Sequence, residues 1–122
     1  MEEEKEFEFD FERLSVYQKT LEFIDNIFIV FKKLPGEYKY SIGSNLLRAS
    51  LSIANNLAEG SDKISHKERA KFYGISSGST RECISVFNVL IRQRLIEKNL
   101  YYQLRRDGRE ITSMIRGLIN AL

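Results

Sequence analysis

Apolar residues recur at helical spacing along nearly the whole chain, and only Phe7, Phe9 and Phe11 alternate as in a strand. Tyr17, Leu21, Ile24, Phe28 and Phe31 repeat at intervals of three and four, predicting a first helix over residues 16–33. Ser15 and Gln18 have the spacing of a capping box at its start, and Leu34-Pro35-Gly36 stops it. A second helix is predicted over 41–59, with Gly60 as the left-handed residue that closes it. A third covers 66–93, opened by a second capping box, Ser65 with Glu68. Its apolar stripe is Phe72, Ile75, Val86 and Leu90, with Cys83 on the same side. The fourth covers 97–121 and turns Leu100, Leu104, Ile111, Met114, Ile115 and Leu118 inward. Short links make neighbouring helices antiparallel, so residues 13–122 read as an all-α antiparallel four-helix bundle, each helix about 27–42 Å long.

The second helix has an unusually wide apolar face. Ile42, Leu46, Ala49, Ile53 and Leu57 fill one arc, and Leu47, Leu51, Ala54 and Ala58 fill the next. Together they span about 200°, well beyond the ~100° stripe of a surface helix. Either this helix is central in its own bundle or a second copy of the chain covers its outer arc. Its narrow polar remainder is Arg48, Ser52, Asn55 and Glu59, with Asn56 beside it. That stripe is either a solvated face or a hydrogen-bonded network that fixes subunit register, with Glu82 of the third helix as a candidate partner for Arg48. The third helix contains Gly74-Ile75-Ser76-Ser77-Gly78-Ser79-Thr80, a poor helix former. Small side chains let another helix approach closely. A phosphate-cradling loop would need a preceding strand and a Lys-Ser/Thr pair, and neither is present.

Charge divides the chain in two. Residues 1–12 carry seven acids and one base, a net −6, so the remaining residues carry +8 of the overall +2. An acidic tail therefore precedes a basic body. On the fourth helix Tyr102, Arg105, Arg109 and Arg116 lie within about 60° of one another, opposite the apolar face, with Arg106 to one side. Arg92, Arg94 and Lys98 add three bases around the preceding turn. Arginine pairs bidentately with phosphate and tyrosine stacks on bases, so this surface suits RNA; the alternative is an ordinary solvated face.

Catalytic and metal chemistry find little support. His66 is the only histidine, and Lys63 stands where a Glu-x-x-His metal pair needs its carboxylate. Glu59-Gly60-Ser61 stands where helical ribonucleases need an arginine, and Lys67-Glu68 follows His66 where phosphotransfer bundles need His-x-x-Lys-Gly. Cys83 reads as a core residue, and a lone cysteine fits a reducing compartment. With no uncharged run suited to a bilayer and no signal-peptide pattern, the expectation is a cytoplasmic, non-enzymatic binding module with no metal and no cofactor.

Three stretches carry a resemblance. They are Leu14-Ser15-Val16-Tyr17-Gln18-Lys19, then Leu47-Arg48-Ala49-Ser50-Leu51-Ser52-Ile53-Ala54-Asn55-Asn56-Leu57-Ala58-Glu59-Gly60, and Met114-Ile115-Arg116-Gly117-Leu118-Ile119. With Lys67-Glu68, Phe72, Gly78-Ser79 and Glu82 between them, the chain resembles the four-helix-bundle proteins encoded in intervening sequences of bacterial 23S ribosomal RNA genes. The resemblance implies an up-down-up-down bundle, a homopentamer and an association with ribosomal RNA. It also places Arg48, Asn56, Glu59, Ser79 and Glu82 at recurrent polar positions of an inter-helix network. A related bundle, the accessory protein of diversity-generating retroelements, binds nucleic acid and a reverse transcriptase, so a scaffold for a mobile-element polymerase is the second expectation. Tyr17 replaces a frequent tryptophan, Ala54 a frequent proline, and residues around Arg94 a frequent Gly-Tyr pair. The acidic tail is unusual for the family and can compete with RNA for a basic surface.

Overall fold

The computed structural model describes Glu4 and residues 6–122; Met1, Glu2, Glu3 and Lys5 of the acidic tail lie outside them. Among the described residues the chain is all-α, with four long helices and no strand. They are α1 (Ser15–Lys33), α2 (Ser44–Ser61), α3 (His66–Arg92) and α4 (Lys98–Asn120). A helical turn at Gly36–Tyr38 and a wide π turn at Lys39–Gly43 lead directly into α2, so this region becomes helical before residue 41. Each helix packs on the next, and α4 returns to pack on α1. Contacts between α2 and α3 pair Gly60 with Tyr73, Ile53 with Ser76 and Ser52 with Ser79, so numbers fall along one helix as they rise along the other.

The core is apolar and closed. Phe23 and Phe87 meet edge to face at 6.0 Å, and the fully buried Ile27, Leu46, Ile53, Leu57, Leu90, Leu104, Ile111 and Ile115 belong to the same core. Burial of each such side chain is worth about 1.5–3 kcal/mol. The fourth helix presents the inward face expected of it. Leu104, Ile111 and Ile115 are buried, and Leu100, Met114 and Leu118 pack half-buried against them.

The first helix is rotated in part from its expected orientation. Ile24 of the expected stripe is buried and Tyr17 and Phe31 are half-buried, but Val16, Thr20, Phe23, Ile27 and Val30 supply the rest of the core face, while Leu21 is 43% and Phe28 38% exposed. α1 is apolar around most of its circumference, so two stripes satisfy the spacing. Thr20 hides the one that is used. Its hydroxyl donates to the Val16 carbonyl at 2.7 Å, which lets a polar residue sit in the core with its hydrogen bond made.

The two capping boxes fare differently. Ser65 accepts from the Glu68 N–H at 3.3 Å and caps α3. Ser15 does not cap α1: it is the first helical residue, and Gln18 instead donates to the Glu12 carbonyl. A reciprocal contact forms upstream, where Glu12 accepts from the Phe9 N–H at 2.9 Å around a 3-10 turn at Asp10–Arg13.

Gly60 is also not the left-handed closing residue. No glycine here has a positive φ, and α2 runs through Gly60 to Ser61. Its small size serves packing: a Cβ there would sit 2.8 Å from the Tyr73 ring. The left-handed residue is Arg94, at φ 59°. Around it the Leu95 N–H reaches the Leu90 carbonyl at 2.9 Å and the Arg94 N–H reaches the Ile91 carbonyl at 3.1 Å. This pair of bonds is a Schellman closure of α3.

Within the Gly74–Thr80 run, Ser76, Ser79 and Thr80 are buried, and Gly74 and Gly78 do not make the close approach. Ser76 donates to the Ile53 carbonyl of α2 at 2.8 Å, and Thr80 donates back to the Ser76 carbonyl. Gly74 and Gly78 face outward, with nothing within 4 Å of where a methyl group would stand.

Candidate anion-binding groove

Helices α3 and α4 enclose a surface cleft of about 670 Å³. Arg81 enters it from α3, and Tyr102, Arg105, Arg106 and Arg109 enter from α4. Its floor is Ile84 against Gly108, where an added Cβ would lie 2.7 Å from the Ile84 side chain. A second, smaller cleft of about 360 Å³ on the same two helices shares Arg81 and Thr112 with the first and reaches Arg116, Gly74 and Gly78. No carboxylate lines either stretch.

Two arrangements produce this charge separation. Lys19 of α1 pairs with Asp107 and Glu110 of α4, each at 3.2 Å, and neither acid lines the cleft. The hydrogen bond to Glu110 raises the Lys19 ammonium above its ordinary pKa, with Asp107 adding to the effect and burial opposing it. On the groove side, Asn88 accepts from the Tyr101 hydroxyl at 2.7 Å and from Arg105 at 2.9 Å. The Arg105 guanidinium also lies 5.6 Å from the centre of the Tyr101 ring. Arg105 is therefore held in place before any ligand arrives.

Of the eight basic and aromatic residues selected from the sequence, the groove gathers Tyr102, Arg105, Arg106, Arg109 and Arg116. Arg92, Arg94 and Lys98 are exposed around the α3–α4 turn and do not line it. The α3 wall, Arg81 and Asn88, is absent from the sequence-based selection. Its signal is present as a polar stripe, Ser77, Arg81, Ser85, Asn88 and Arg92, at helical spacing.

The polar stripe of α2 forms a smaller network than expected. Ser52 and Ser79 share a hydrogen bond at 2.8 Å, and Asn56 donates to the Ser52 hydroxyl at 3.0 Å. Arg48 donates to Asn45 and not to Glu82, which forms no ion pair among the described residues. Asn55 is exposed, and Glu59 reaches only Lys63, at 3.9 Å. The outer arc of α2 is partly covered by the chain itself. Ala54 is buried, and Phe7, Phe9 and Phe11 line a pocket with Ala58, while Leu51 stays 47% exposed. The described part of the tail thus lies against α2, and its ion pairs run from Glu8 and Asp10 to Arg13.

Cys83 is fully buried, and desolvation pushes its thiol up to about 12. His66 is exposed at the first turn of α3. Among the described residues no cluster of histidine, cysteine and carboxylates has the geometry to hold a metal, and no helix is long and apolar enough to cross a membrane.

Fold and groove together define a small all-α domain of four helices with one arginine-lined face. Residues 12–117 match the profile of the 23S rRNA-intervening sequence protein family, and the chain belongs to that family. Its fold is similar to the crystal structure of a protein of unknown function from the S23 ribosomal protein family of Bacteroides thetaiotaomicron. The TM-score is 0.79 at 26% identity, over 86% of this chain and 95% of the other. No curated protein matches the chain.

Proposed function

We propose that this protein is a non-enzymatic, cytoplasmic RNA-binding module that holds structured RNA, ribosomal RNA by family, in the α3/α4 groove. The observation that carries this reading is the segregation of charge: arginines from two helices converge on one cleft without a carboxylate. Such a cleft concentrates field lines and attracts polyanions despite the small net charge of the chain. The helices run up-down-up-down, a topology supported by the opposed numbering of the α2–α3 contacts and by the short links. The working form is a homopentamer, in keeping with the resemblance. Leu21, Phe28 and Ile29 of α1 and Leu51 of α2 supply open apolar surface for contacts between copies.

The decisive measurement is affinity for fragments of 23S rRNA as a function of salt. Neutralising about four phosphates gives a slope of log K against log salt of about −3. Arg105→Glu with Arg109→Glu abolishes binding. A slope near zero, or binding unaffected by the double substitution, refutes the reading. Light scattering gives the subunit count, and a folded monomer at high concentration refutes the assembly. The second reading, a scaffold for a mobile-element polymerase, draws on Phe7 and Phe9, which remain exposed on the acidic tail. Co-purification of a protein partner that survives nuclease treatment supports it over the first.

A further inference from the structure

We infer that the groove takes an unpaired RNA strand, as in a loop, bulge or single-stranded end, with its phosphates between the two walls and a base stacked on Tyr102. This inference rests on the RNA reading above and specifies the form of RNA that the site accepts.

Shape comes first. The walls are two directly packed helices, so the cleft is a furrow along their seam, floored by Ile84 and Gly108. A single extended backbone can lie along such a furrow within reach of arginines on both sides, whereas a rigid duplex brings only one edge to it. Charge agrees with shape. Arg81 projects from one wall and Arg105, Arg106 and Arg109 from the other, so a strand lying between them is neutralised from both sides. Arg105 and Arg109 are one helical turn apart, a rise of about 6 Å, close to the phosphate repeat of an extended strand.

The third element is aromatic. Tyr102 lines the cleft and is 47% exposed. It meets Tyr101 edge-on, at 5.3 Å and 63°, so the pair is not already stacked face to face. Tyr101 is committed to Asn88 and Arg105, which leaves Tyr102 as the available platform. A charged groove with an adjacent aromatic platform is the recurring solution for single-stranded nucleic acid, where stacking tolerates any base. The Asn88–Arg105 hydrogen bond lowers the ordering cost further, because one phosphate ligand is already positioned.

Fluorescence anisotropy on the full chain tests this with two probes: an oligouridylate of about 12 nucleotides and a blunt-ended RNA duplex stem without a loop, of matched charge. The expected result is binding of the strand at least about tenfold tighter than of the duplex stem. Tyr102→Ala then weakens the strand about tenfold and leaves the stem unchanged, and Tyr102→Phe keeps wild-type affinity. Equal affinity for strand and stem, or a Tyr102→Ala variant that binds the strand normally, overturns the inference while the RNA reading stands. Failure of both probes and of the rRNA fragments to bind overturns both.

Discussion

Replacing Gly60 by alanine sets two effects of opposite sign against each other. Within a helix the change gains about 1 kcal/mol, because glycine loses more backbone freedom on folding. At Gly60 the new methyl would lie 2.8 and 2.9 Å from two carbons of the Tyr73 ring and 3.1 Å from the Phe72 Cβ. Carbon atoms prefer about 3.5–4.0 Å, so the ring must retreat by more than half an ångström. Tyr73 is buried, and α2 and α3 are held together nearby by the Ser76–Ile53 and Ser52–Ser79 hydrogen bonds. Overpacking of this kind costs about 1–3 kcal/mol, so the net change is a loss of about 1 kcal/mol. Gly74 and Gly78 lie in the next helix with open space at the methyl position. Alanine there keeps the whole gain of about 1 kcal/mol at each site. The two kinds of site should therefore separate by about 2 kcal/mol, or roughly 6–10 °C in melting temperature. Urea midpoints at one fixed protein concentration are the proper assay, since any self-association makes stability depend on concentration. A Gly60→Ala midpoint above wild type would refute the packing argument. Midpoints below wild type for both Gly74→Ala and Gly78→Ala would mean that another surface comes close to that face.

Arg94→Gly should stabilise the chain by about 1 kcal/mol, seen as a higher melting temperature, because glycine holds φ 59° without the strain of a side chain. Arg94→Ala should bring no such gain. Stability should fall as pH rises above about 9, since the Cys83 thiol is pushed from its ordinary 9.0 up to about 12 and stays protonated longer in the folded state. That stabilisation is fully present below the unfolded value and is lost as pH climbs through the folded one; Lys19 and Tyr73, also raised, act in the same sense. Urea midpoints of Cys83→Ala should decline less steeply over this window. Lys19→Met should cost about 1–2 kcal/mol at pH 7, read as a lower urea midpoint, because it strands the mostly buried Asp107 carboxylate.

The sequence is most legible where one face of a helix is apolar and the other charged. α4 has that form, and its inward residues and its arginines both stand out. α1 misleads because apolar residues surround it and a threonine bonded to its own backbone looks polar on paper. Gly60 illustrates a second limit. A glycine after a helical run suggests a stop, and only the position of the Tyr73 ring reveals that it is a clearance. The groove is half legible for a similar reason. Arginines on one helix stand out by spacing, but the contribution of Arg81 depends on which side of α3 faces α4.

The Schellman closure at Arg94 has a consequence for how the α3/α4 cleft is built. Both walls of the cleft belong to one hairpin of consecutive helices, tied at its bend by two main-chain bonds. The side-chain contacts that shape the cleft, such as Asn88–Tyr101, Asn88–Arg105 and Ile84–Gly108, are therefore all made within that hairpin. The remaining half of the protein, α1 and α2, buttresses this hairpin from behind. It is free to change its outer surface, and so its neighbours, without disturbing what the hairpin can hold.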